Sequence, residues 1–186
     1  MKQSNIIALI GMTGCGKTSV GKMLAKRLGA DFVDLDEEIV SRCGAVKDIF
    51  AEKGEAGFRE IECEVLRDVL SAHNGRLTIL STGGGAPTYP PSRALIRSSA
   101  YSIWLRHGVD TIPKDSPILT RPPVNGSIEN YKKLLGARYP IYRSTADMTV
   151  YNVYPQRTAA VLTRKIQSFK HLTLTNKANK KEKHPC

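Results

Sequence analysis

The chain has 186 residues, of which 41% are hydrophobic and 24% charged. That balance supports one globular domain with its own core and excludes collagen-like, coiled-coil and wholly disordered chains. Lysine and arginine total 28 against 17 aspartates and glutamates, a net charge of +11, so anionic ligands are expected: phosphates, small carboxylates or nucleic acid.

The predicted elements alternate between strand and helix. Asn5 to Ile10 reads as a short apolar strand, followed by a glycine-rich loop to Lys17. Thr18 to Leu28 carries Val20, Met23, Leu24 and Leu28 at helical spacing, with Gly29 as a C-cap. Asp31 to Leu35 is a second strand. Glu37 to Arg42 is a short helix stopped by Gly44, and Val46 to Ala51 another before Gly54. Glu55 to Ala72 is the clearest helix, with Phe58, Ile61, Val65, Leu66, Val69 and Leu70 on one stripe. Leu77 to Thr82 is a third strand and ends in Gly83-Gly84-Gly85. Ser92 to Ser98 is helical, and Ala100 to Leu105 is a fourth strand.

The texture then changes. Residues 107–126 are rich in proline and poor in core residues, which marks a functional loop, read here as a mobile lid. Ser127 to Arg143 returns to helix with a break near Pro140. Met148 to Tyr151 is a fifth strand, and Gln156 to Phe169 the last helix. From Lys170 onward, Lys170, Lys177, Lys180, Lys181 and Lys183 stand against Glu182, and residues 175–186 read as a basic, disordered tail. The expectation is a single domain over residues 1–174, a three-layer α/β/α fold on a five-stranded parallel sheet. Ligands in such sheets bind beyond the carboxyl ends of the strands.

The absence of any long apolar run and the short stretch before Ile6 predict a cytoplasmic chain with no membrane partner. The sequence lacks zinc-finger, helix-turn-helix and aromatic RNA-binding signatures, so no nucleic-acid partner is expected. Cys15, Cys43, Cys63 and Cys186 form no CxxC pair, which argues for free thiols rather than a structural zinc site. The four histidines show no spacing for a metal or a triad.

Gly11-Met12-Thr13-Gly14-Cys15-Gly16-Lys17-Thr18 fits GxxxxGK[ST], with a strand before it and a helix after it. The glycines let successive N–H groups turn inward onto phosphate oxygens, and the helix adds its positive end. Lys17 can reach the β and γ phosphates, and Thr18 can offer a hydroxyl to Mg²⁺. Cys15 is read as a small loop filler rather than a reactive thiol.

Asp34 and Asp36 follow the second strand and, in an extended chain, face the same way. Two carboxylates beside a phosphate loop need a cation or polar ligand between them. Asp34 can serve the metal, and Asp36 can accept hydrogen bonds or a proton from a hydroxylated substrate. Alternatively one of them caps the next helix, a geometry that Asp36 fits. Arg59 can bind an anion or pair within its helix with Glu55 or Glu62. Arg138, near the end of the helix after the lid, can do the same or bond helix carbonyls. Arg121, stiffened by Pro122 and Pro123, can neutralise a transferring phosphoryl group from the lid. Gly83-Gly84-Gly85 allows close backbone approach to a ligand.

Together these residues resemble shikimate kinase, of the nucleoside-monophosphate-kinase type. The resemblance rests on the phosphate loop, Asp34-x-Asp36, Phe58-Arg59-x-x-Glu62, Gly83-Gly84-Gly85, Arg121-Pro122 and Arg138-x-x-x-Tyr142, in order from Ile6 to about Phe169. It implies a P-loop kinase fold with a mobile lid and phosphorylation of the shikimate 3-hydroxyl by ATP with Mg²⁺, by a monomer. It also implies roles. Gly14, Cys15, Gly16, Lys17, Thr18, Ser19, Arg121 and Pro155 would bind ATP. Asp36, Arg59, Gly84 and Arg138 would bind shikimate, and Thr18 and Asp34 would serve Mg²⁺. Lys17, Asp36 and Arg121 would be the catalytic set, with Asp36 positioning hydroxyls first and accepting a proton second. The chain departs from the family where arginines usually flank adenine: one has no clear counterpart after His107, and another is absent or displaced to Arg157. Tyr154 offers a flat surface in their place. Three alternatives stay open: a related small-molecule kinase of the gluconate kinase type, a nucleotide-dependent binding module, and a degenerate family member that binds ATP weakly.

Overall fold

The fold is given by a computed structural model that describes residues 4–72, 75–108, 124 and 127–181; of residues 169–181 only the backbone is described. Five strands and six helices alternate along it: β1 (Ile6–Ile10), α1 (Lys17–Leu28), β2 (Asp31–Asp34), α2 (Leu35–Cys43), α3 (Val46–Ser71), β3 (Thr78–Ser81), α4 (Pro90–Ser99), β4 (Tyr101–Arg106), α5 (Ile128–Thr145), β5 (Met148–Tyr151) and α6 (Pro155–Lys181). The strands form one sheet in the order β2-β3-β1-β4-β5, and every pairing is parallel.

All five residues of β1 are buried, as a central strand covered on both faces requires. Alternation sends Ile6, Ala8 and Ile10 to one face, where they meet Leu35, Phe58, Leu66, Trp104 and Tyr142. Ile7 and Leu9 go to the other, against Val20, Leu24, Ile103 and Leu162. Helices α2 to α5 therefore cover one face, and α1 and α6 the other. This is the expected three-layer architecture.

The register decides what meets at the ligand end. Asp34 of β2 lies beside Ser81 of β3, and Arg106 of β4 beside Tyr151 of β5. Because β1 sits centrally, the loop after it opens between these two pairs.

Some boundaries differ from the sequence reading. Leu35 starts α2 rather than ending β2, so Asp36 stands in the first helical turn and not in extended chain. The two helices expected around Gly54 do meet there, joined directly at a kink where φ is 66° and ψ −171°; glycine tolerates that backbone and other residues resist it. A 3-10 turn at Ala86–Thr88 follows the glycine run. Helix α6 continues to Lys181, past the expected end at Phe169 and into the segment read as disordered; no glycine or proline stands between Pro155 and Pro185 to stop it. Of the loop at 107–126, residues 109–123, 125 and 126 lie outside the described residues, and Arg121 with them.

Candidate active site

The loop Gly11–Lys17 joins β1 to α1. Gly16 caps the helix with φ 88°, and a Cβ there would collide with the Asn152 side-chain amide. That amide donates to the Cys15 carbonyl at 2.8 Å, so the loop is strapped from the far side of the sheet by the residue after β5. Lys17 is only 8% exposed. Its Nζ donates to the Gly11 and Met12 carbonyls, each at 2.9 Å. The cation is thus held in the loop mouth by neutral acceptors, which anionic phosphate oxygens outcompete. Gly14, Thr18 and Ser19 are exposed around it. The Cys15 thiol is buried, and desolvation pushes its pKa up against the pull of Lys17. It fills space, in keeping with the sequence reading.

A group of oxygen ligands gathers beside the loop. Thr18 Oγ1 donates to Asp34 Oδ2 at 2.7 Å and lies 3.5 Å from Ser81 Oγ. Asp34 Oδ1 accepts from the Asp36 N–H at 3.1 Å, so Asp34 and not Asp36 caps α2. The reason is the earlier helix start: an N-cap carboxylate bonds the N–H two positions on, and that position is Asp36. Among the described residues no group of three or more histidine, cysteine or acidic side chains is placed to hold a metal. Hard oxygens from a hydroxyl and one carboxylate fit Mg²⁺ that is otherwise bound by water and phosphate.

The third part lies at the glycine turn that follows β3. Arg59 of α3 donates through Nη1 to Glu62 Oε2 at 2.6 Å and through Nη2 to Glu55 Oε1 at 3.3 Å. Both intrahelical pairings anticipated from the sequence are therefore made. Arg59 nonetheless reaches the glycine turn: its guanidinium occupies the place of a Cβ on Gly85. Arg138 of α5 is buried and points Nη1 at the Gly84 carbonyl, 3.5 Å away. Tyr142, one turn on, donates to the same carbonyl at 2.6 Å, and burial pushes its pKa up to about 12. A Cβ on Gly84 would stand 2.9 Å from the Thr13 N–H nitrogen. The glycine run and the phosphate loop are therefore in backbone contact. Asp36, exposed in the first turn of α2, faces the same turn: its Oδ1 is 3.0 Å from where a Gly83 Cβ would stand.

The structure brings together Lys17, Thr18, Asp34, Asp36, Arg59, Gly84 and Arg138 at the carboxyl ends of β1, β2 and β3. Pro155 opens α6 on the other side of the loop. Tyr154 is 57% exposed, and the Arg157 guanidinium lies 5.1 Å over its ring. Four contributors had no assigned role in the sequence. Glu62 is wholly buried, with Oε1 unpartnered; burial raises its pKa, Arg59 lowers it and Asp36 raises it. Ser81, Tyr142 and Asn152 are the others. Only the spacing Arg59-x-x-Glu62 and Arg138-x-x-x-Tyr142 carried a signal for two of them.

The sequence model described as Shikimate kinase matches residues 13–170. The chain is 42% identical to a shikimate kinase of Nitrosomonas europaea over 75% of its own length and 67% of that protein. It is 41% identical to one of Stenotrophomonas maltophilia over 77% and 81%. In structure it is similar to the shikimate kinase from Acinetobacter baumannii in complex with shikimate, with a TM-score of 0.79 and 32% identity over 91% of this chain and 96% of that one. It is also similar to the shikimate kinase from Aquifex aeolicus, with a TM-score of 0.72 and 29% identity over 89% and 98%.

Proposed function

The chain belongs to the shikimate kinase family, and from that membership we propose how its residues transfer the γ-phosphoryl group of ATP to the 3-hydroxyl of shikimate. It is an ATP-dependent phosphotransferase with an alcohol acceptor. The observation that carries the assignment of roles is the convergence of Arg59 and Arg138, from two different helices, on the glycine turn that touches the phosphate loop.

The triphosphate lies in the loop, against the N–H groups of residues 14–19 and the start of α1. Lys17 leaves the Gly11 and Met12 carbonyls for the β and γ oxygens. Arg59 and Arg138 bind the shikimate carboxylate by charge-assisted hydrogen bonds, worth roughly 1.5–3 kcal/mol each. Asp36 accepts from the substrate hydroxyls and turns the 3-oxygen toward the γ-phosphorus. The new bond joins that oxygen to phosphorus, the bond to the β-phosphate oxygen breaks, and ADP leaves. Asp36 is foremost a positioning group and secondarily a proton acceptor. Arg121, outside the described residues, is given the neutralisation of charge on the moving phosphoryl group. Alignment and charge neutralisation supply most of the rate in such transfers.

Mg²⁺ fits the oxygen set of Thr18 and Asp34 described above. When bound, it neutralises phosphate charge and fixes phosphate orientation. Free thiols at Cys15, Cys43 and Cys63 and the use of ATP suit a cytoplasmic enzyme. A monomer is the state implied by the resemblance.

ADP release from Mg²⁺ and ATP, compared with shikimate, gluconate, nucleoside monophosphates and no acceptor, tests the reading. Release is expected only with shikimate. Equal release with gluconate would move the assignment to another small-molecule kinase.

A further inference from the structure

We propose that Arg106, held among three aromatic rings at the end of β4, binds the base and ribose end of the nucleotide. The phosphate loop follows the central strand β1. Asp36, Arg59 and Gly84 lie on the β2 and β3 side, and Arg138 of α5 reaches to the Gly84 carbonyl there. The γ-phosphorus must face them, so the rest of the nucleotide leaves the loop in the opposite direction, over the ends of β4 and β5. This step rests on the kinase reading above.

Arg106 is the cation waiting there. Its Cζ lies 4.4 Å from the Tyr151 ring centre, 5.1 Å from Trp104 and 5.2 Å from Tyr139. Its guanidinium makes no hydrogen bond and no ion pair among the described residues, whereas Arg59 has two carboxylates. Rings over a guanidinium fix its plane and occupy its faces, leaving the N–H edge for an acceptor. The side chain thus reaches its binding pose with little further ordering cost.

The position is also tied to the phosphate loop. The Arg106 carbonyl accepts from the Asn152 N–H at 2.7 Å, and the Asn152 side chain straps Cys15. Arg106 and Cys15 line one small cleft, together with Met12, His107 and Tyr139. Ring nitrogens of a purine and the ribose oxygens are the acceptors that a nucleotide offers beyond its phosphates. Arg106 is the group that donates to them.

The test uses the full chain and measures binding of ATP and of inorganic tripolyphosphate, which has phosphates and no base. Arg106→Gln should weaken ATP about tenfold, the scale of one charge-assisted hydrogen bond, and leave tripolyphosphate unchanged. Unchanged ATP affinity in a folded Arg106→Gln protein overturns the proposal. Equal weakening of both ligands also overturns it, since the cation would then act on phosphate. Tyr151→Leu guards against loss of folding, because Tyr151 is 60% exposed. It should weaken ATP about threefold by freeing the guanidinium, with tripolyphosphate unaffected, and no change in ATP affinity counts against the proposal. Both assays omit shikimate. A failed kinase reading shows separately, as wild-type ADP release that ignores shikimate.

Discussion

Arg59 Nη1 and Glu62 Oε2 lie 2.6 Å apart one helical turn from each other, with the glutamate carboxylate at 1% side-chain exposure and the arginine at 12%. The second partner of Arg59, Glu55, is 64% exposed and contributes little. Glu62 is therefore the group that aims Arg59 at the glycine turn. Glu62→Ala leaves a largely buried guanidinium without its inner partner, and a loss of roughly 3 kcal/mol in stability is expected. The KM for shikimate should rise with that for ATP unchanged. Denaturant unfolding and steady-state kinetics read the two effects.

Glu62 also sets a pH dependence. Burial is the main influence on its carboxyl and raises the pKa above 4.5, while Arg59 opposes it. A carboxyl whose folded pKa is raised binds its proton more tightly in the native state, so its contribution to stability is full below the unfolded pKa and is lost as pH rises through the folded one. The stability of the wild type relative to Glu62→Gln should fall as pH increases above 4.5. Melting temperatures of the two proteins across that range give the sign.

Tyr142 and Gly84 define the floor of the same pocket. Tyr142→Phe removes a 2.6 Å hydrogen bond to the Gly84 carbonyl at a site with no exposure. The expected cost is about 1–2 kcal/mol, with a higher KM for shikimate. Gly84→Ala should be more severe, since the new methyl meets the backbone of Thr13 at 2.9 Å and parts the turn from the phosphate loop. A fall of more than about a hundredfold in kcat/KM is expected for it, in line with misplaced reacting groups.

The short bond between Thr18 and Asp34 makes the metal assignment testable. Thr18→Val and Asp34→Asn each remove one hard oxygen ligand or its charge. Both should raise the Mg²⁺ concentration needed for half-maximal rate by about tenfold or more. Asp34→Asn keeps a side-chain oxygen able to cap α2, so its melting temperature should change little.

How far these residues could be read from the chain depends on the range of the contacts that fix them. The phosphate loop was legible because its strand, glycines, lysine and helix are consecutive. The strand order was not, since nothing local says that β3 lies between β1 and β2. Asp34 as the cap depended on a helix start two residues earlier than the apolar pattern indicated, with Leu35 entering the core as the first helical residue. Glu62 resembled an ordinary surface partner at i+3, and only burial against the glycine turn after β3 gives it weight. Asn152 straps the loop across a sequence separation of 137 residues, which no motif records. Arg106 followed the expected fourth strand with no partner in view until β5 brought Tyr151 beside it.

The central claim is that Arg59 and Arg138 read a carboxylate while Lys17 and the loop hold the triphosphate. The most direct measurement compares kcat/KM for shikimate and for its methyl ester, in the wild type and in Arg138→Ala. Loss of charge-assisted hydrogen bonds should make the wild type prefer the acid by roughly a hundredfold. In Arg138→Ala that preference should shrink by about tenfold or more, with the KM for ATP nearly unchanged. An Arg138→Ala protein that separates acid from ester as sharply as the wild type would contradict the account.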